Sequence, residues 1–111
     1  MKRGDVVTVT VATGGGFGGK PRPALIVQSD AYVTLTTVVV ALLTSDLADT
    51  PITRPHFLPD ATNGLREPSN LMIDVLVTAR RDKVGKVIGR FGAAEMARAE
   101  GALLVFLGVA G

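Results

Sequence analysis

Eight consecutive residues, Thr36-Thr37-Val38-Val39-Val40-Ala41-Leu42-Leu43, carry no charge and run into Thr44-Ser45-Asp46. A strand this uniformly apolar has no solvent face and calls for burial on both sides. The segments around it read as further short strands. Asp5 to Thr13 alternates β-branched residues, and Pro23 to Gln28 forms a second apolar strand ahead of a helical turn at Ser29 to Tyr32. From Thr44 to Pro68 the chain is rich in Asp, Thr and Pro, which predicts long loops around a short strand near Ile52 to Leu58. Leu71 to Thr78 and Val84 to Phe91 complete the strands.

Ala93 to Leu107 reads as a terminal helix. Met96, Ala99, Leu103, Leu104 and Leu107 recur on one face, with Glu95 and Arg98 pointing away from it. Short strands followed by one helix predict a mainly β fold, a small bent antiparallel sheet or barrel with the helix packed across it. Only 5% of the residues are aromatic and none is Trp, so the core is built from Val, Leu, Ile and Ala. With 111 residues and no internal linker, the chain reads as one domain spanning 1–111. Its 47% apolar content leaves a surplus that points to an oligomer interface.

Several function classes fall away. There is no cysteine, which excludes disulfides, thiol nucleophiles and thiolate metal sites. The amino-terminal residues contain no signal-peptide core, and the run from Val38 to Leu43 is far too short to span a membrane. A soluble, cytoplasmic protein is expected. The net charge of +2 and a pI near 9.4 suit a nucleic-acid partner without demanding one. The carboxylates Asp46, Asp49, Asp60, Glu67 and Asp74 are scattered, and no spacing among them advertises a metal site.

The sharpest chemical signal is Arg22, set between Pro21 and Pro23 where a glycine-rich loop meets a strand. Proline stiffens its own backbone and extends the residue before it, so the guanidinium leaves the strand mouth in a defined direction. Such an arginine suits bidentate binding of a phosphate or carboxylate, or an ordinary ion pair with a nearby acid. Gly14 to Lys20 matches the start of a P-loop, but Pro21 replaces the Ser/Thr that would hold magnesium and a strand follows in place of a helix. The nucleotide-binding reading is therefore set aside, and the loop reads as a mobile lid. Phe17 within it is a hydrophobic anchor or a face for base stacking.

Thr44 and Ser45 close the apolar strand, where hydroxyls cap a turn or face a ligand. His56, the only histidine, is compatible with a single general acid or phosphate donor and excludes a two-histidine mechanism. Asp74 interrupts an apolar strand. Arg80-Arg81-Asp82-Lys83 with Lys86 and Arg90 forms the strongest basic cluster, suited to a solvated turn or to a phosphate backbone.

These residues together resemble the MazF/PemK (Kid) toxins of bacterial toxin–antitoxin systems. Lys2-Arg3-Gly4-Asp5-Val6-Val7 is similar to the family's opening, and Arg22-Pro23-Ala24-Leu25-Ile26-Val27-Gln28-Ser29-Asp30 to its arginine–proline signature. Val38 to Ser45 resembles its apolar strand ending in T-S, and Lys86-Val87-Ile88-Gly89-Arg90-Phe91 its junction before the helix. The resemblance implies an SH3-like, CcdB-like barrel that acts as a homodimer. It further implies cofactor-free and metal-independent cleavage of single-stranded RNA by 2′-OH attack.

The implied partner is a cognate antitoxin whose C-terminal segment folds onto the toxin, with DNA reached only through that antitoxin and no membrane involved. The resemblance places catalysis on Arg22 and Thr44. It places substrate contacts on Asp74, and Ser45, His56, Phe17, Lys20, Arg80 and Arg81 are the further candidates. Met72, Val75 and Val77 depart from the family pattern, and the first loop lacks its Glu-Gln. The rival reading is a non-enzymatic protein of the same fold, either a degenerate toxin or a CcdB-like gyrase poison. The absence of tryptophan argues against the poison.

Overall fold

A computed structural model describes residues 1–10, 20–47, 49 and 53–111. Six strands are formed: β1 (Asp5–Thr10), β2 (Pro21–Ile26), β3 (Thr37–Thr44), β4 (His56–Phe57), β5 (Ser69–Arg80) and β6 (Val87–Arg90). They make one antiparallel sheet in the order β4-β5-β3-β2-β1-β6, followed by the helix α1 (Ala93–Phe106). The expected mainly β fold with a C-terminal helix is what forms. The expected end of the first strand, residues 11–13, lies outside the described residues, as do the glycine loop, Phe17 and residues 50–52.

β3 has the central place its sequence demands, flanked by β2 and β5 and buried along nearly its whole length. Its two faces feed two separate cores. Ala41 and Leu43 join Val6, Leu25, Phe57 and Ile73 under the helix. Val38, Val40 and Leu42 join Val7, Ala24 and Met72 on the other face. β5 is longer than expected because it does two jobs. Its outer half pairs with β3 from Thr37↔Arg80 to Ala41↔Leu76. After a break in register, its inner half returns to β3 at Leu43↔Leu71 and also receives the 53–57 segment through Leu71 N–H to the Pro55 carbonyl and Ile73 N–H to the Thr53 carbonyl.

α1 keeps most of the expected face. Ala99 is buried, with Met96, Ala102 and Leu103 packed against the core, whereas Leu104 and Leu107 are exposed. Met96, Ala99 and Leu103 pack as expected, Ala102 joins them in place of Leu104 and Leu107, and the last turn is exposed. Nor do Glu95 and Arg98 point idly into solvent. Glu95 accepts from the Gly92 N–H at 3.0 Å and from the Asn63 amide at 3.1 Å, capping the helix. The Arg98 guanidinium lies 4.3 Å over the Phe57 ring and donates to the His56 carbonyl. No helix among the described residues is long and apolar enough to cross a membrane.

The curled sheet is closed by the loop between β4 and β5. Arg90 N–H donates to the Thr62 carbonyl at 2.8 Å, and Gly64 lies against the backbone of Ile88. Asn63, fully buried, spends its amide on Leu58 and Glu95 and accepts from Asp60 and Leu65 N–H. Asp60 organises the turn by accepting from the N–H groups of Thr62 at 2.8 Å and Asn63 at 2.7 Å. Those bonds hold its carboxyl below the usual carboxylate range. A depressed folded pKa contributes stability that is complete above the ordinary value of about 3.9 and disappears as pH falls through the lower folded value. Asp60→Ala is therefore expected to be least stable relative to the parent at neutral pH, with the difference shrinking in acid. Urea titrations between neutral pH and pH 3 check this.

Candidate active site

Three strand ends and the closing loop surround a cleft of about 620 Å³. Arg22 enters it from β2, with Pro21 and Pro23 on either side. Neither proline brings an N–H to the ladder: β2 pairs with β3 only from Ala24 to Ile26, while its pairing with β1 runs on to Pro21. Arg22 lies opposite Val9 of β1. On its other side, continuing the register Ala24↔Leu42 by two residues brings it opposite Thr44 of β3. Thr44 in turn pairs with Asn70 of β5, and Asn70 with His56 of β4. Arg22, Thr44 and Asn70 thus stand in one row across the sheet, on the face that carries Leu42 and Met72.

Thr44 is buried, and its hydroxyl oxygen accepts from the Asp46 N–H at 3.1 Å. Its O–H donates to no described residue and is available to a ligand in the cleft. Ser45 and Lys20 also line the cleft. Four of the nine expected site residues, Lys20, Arg22, Thr44 and Ser45, are thereby brought together. The far wall was not anticipated from the sequence: it consists of Leu65, Arg66 and Glu67 from the closing loop, Ser69 at the start of β5 and Ile88 from β6. With three cations against one carboxylate, the lining of this cleft is net positive, which suits an anion.

The other candidates lie elsewhere. Asp74 sits where β5 leaves the β3 register and is held by both prongs of Arg54, at 3.1 and 3.0 Å. The guanidinium keeps its carboxyl below the ordinary range. His56 lines a second groove of about 790 Å³ between β4 and the start of α1. Arg80 pairs with Asp82 at 2.7 Å, and Arg81 donates to the carbonyls of Leu35 and Tyr32. Arg80 stands opposite Thr37, roughly 23 Å along β3 from Thr44 at strand spacing. Phe17 is outside the described residues.

The PemK-like, MazF-like toxins of type II toxin–antitoxin systems match residues 2–107 of the chain. Over the full length of both chains it is 40% identical to a probable endoribonuclease MazF of Mycolicibacterium smegmatis. Among solved structures, the Mycobacterium tuberculosis toxin MazF-mt6 superposes with a TM-score of 0.77 at 25% identity, covering 94% of this chain and 96% of that one. A mycobacterial endoribonuclease solved with its cognate antitoxin shares the fold, with a TM-score of 0.80 at 23% identity over 100% and 98% of the two chains.

Proposed function

We propose that this chain, which belongs to the PemK-like, MazF-like toxin family of type II toxin–antitoxin systems, is an endoribonuclease that cuts single-stranded RNA in the cleft holding Arg22 and Thr44. The observation that carries the reading is their meeting in one cationic cleft from different strands. The RNA's own 2′-oxygen attacks the adjacent phosphorus, and the bond to the 5′-oxygen breaks. Negative charge grows on the non-bridging oxygens, where a preorganised guanidinium stabilises it most. The Thr44 O–H donates to the same phosphate and holds it in line. Lys20 and Arg66 extend the positive surface along the strand, and Ser45 supplies a further hydroxyl.

Incubation with a long defined RNA followed by end analysis tests the assignment. Fragments are expected to end in a 2′,3′-cyclic phosphate and to begin with a 5′-hydroxyl, a single 2′-deoxy substitution at the cut site is expected to block cleavage, and EDTA is expected to leave it intact. Loss of cleavage with chelator, or 5′-phosphate ends, would count against it. The family further supports a cognate antitoxin, contacted through its C-terminal segment, as the partner. The exposed apolar residues Val105, Phe106 and Leu107 support a second copy of the chain as another. A cytoplasmic site of action follows from an RNA substrate.

A further inference from the structure

Cleavage through the 2′-hydroxyl requires a group that takes its proton, and a census of the ionisable side chains leaves one candidate in the cleft. Residues 11–19, 48 and 50–52 contain no titratable side chain, so the described residues include every one the sequence has. The chain has ten carboxylates. Asp74, Asp82 and Glu100 are paired with arginines. Asp5, Asp30, Asp60 and Glu95 accept backbone N–H groups. The carboxylates of Asp46, Asp49 and Glu67 have no hydrogen bond or ion pair among the described residues, and of these three only Glu67 lines the cleft. The single histidine lines the other groove.

Building on the ribonuclease reading, we infer that Glu67 is the general base. Its backbone is well placed for the task. Leu65, two residues earlier, is anchored in the core, Pro68 holds Glu67 extended, and the Ser69 hydroxyl donates to the Glu67 carbonyl at 2.9 Å. The carboxylate takes the 2′-O–H proton as the O2′–P bond forms. The P–O5′ bond breaks, the departing 5′-oxygen takes a proton from water, and Glu67 returns its own to solvent. Protons balance, and no further reactant is needed.

The test uses the intact chain and an oligoribonucleotide containing a mapped cut site. Glu67→Gln is expected to lower kcat about a hundredfold, at the lower end of what general bases contribute. KM is expected to stay within about twofold and Glu67→Asp to recover part of the rate, while Asp49→Asn is unaffected. Replacing the leaving 5′-oxygen by sulfur removes the need for a proton on the leaving group, and the Glu67→Gln defect is expected to persist on that substrate. Disappearance of the defect there would make Glu67 the acid and overturn the assignment. Wild-type kcat in Glu67→Gln alongside an inactive Arg22→Ala would overturn it too, while leaving the ribonuclease reading intact. A parent chain that cuts no RNA would overturn the reading itself and the assignment with it.

Discussion

Arg22→Ala is expected to lower the rate of RNA cleavage by about a thousandfold, the upper range for removing one preorganised donor from a site of developing charge. The loss should fall on kcat more than on KM, because the bond strengthens as charge moves onto the phosphate oxygens. Stability should change little. Arg22 is half-buried at a strand mouth, and Pro21 and Pro23 keep the backbone extended whatever lies between them. Arg22→Lys retains the charge but loses the planar fork, so only a small part of the activity should return. Steady-state kinetics with a fluorescent oligoribonucleotide, beside thermal melts, separates these terms. Wild-type turnover in Arg22→Ala would end the proposed mechanism.

Gly89→Ala is expected to be among the most damaging single-methyl additions in the fold. A β-carbon there would lie 2.4 Å from the Asn63 carbonyl carbon and 2.5 Å from the Thr62 oxygen, both backbone atoms of the closing loop. No side chain can swing aside, so the loop must move off β6. That strains the Arg90–Thr62 bond and the buried amide of Asn63 together. A loss of about 4 kcal/mol is expected, at the severe end for a point substitution, lowering Tm by more than ~10 °C. Activity should fall as well, because Leu65, Arg66 and Glu67 belong to the displaced wall. Gly101 offers the internal comparison. Nothing lies within 4 Å of a β-carbon there, and it sits within α1 on the exposed side. Gly101→Ala should raise stability by about 0.5–1 kcal/mol.

The two glycines also mark where the sequence speaks for itself and where it does not. Local chemistry was enough for β2, β3 and the helix, whose signals are periodic apolar runs bounded by Pro, Ser and Gly. It also marked Arg22 as an anion hook, because a proline-flanked arginine is visible within a few residues, whereas Thr44 became a candidate only through the family resemblance, since a hydroxyl at a strand end reads first as a turn cap. The second wall of the cleft was not legible. Arg66 and Glu67 lie in a stretch that reads as an irregular loop, and they reach the cleft because Gly64 docks on Ile88, a contact between residues far apart in sequence. The same kind of distance effect places Arg80 and Arg81 outside the cleft lining and pairs Asp74 with Arg54. On α1 the apolar residues outnumber the available contacts, so periodicity alone could not tell Ala102 from Leu104.

The pairing of β6 with β1 joins residues from opposite regions of the chain, Asp5 with Arg90 and Val7 with Val87. Chains are synthesised from the amino terminus, and contacts this remote form late. Until the segment that supplies Ile88 and docks Gly64 has been made, β2 and β3 carry their arginine with no far wall opposite it. For a ribonuclease built on an RNA template, strand order acts as a timer: the cleft stays without its wall until residues 87–90 have left the ribosome.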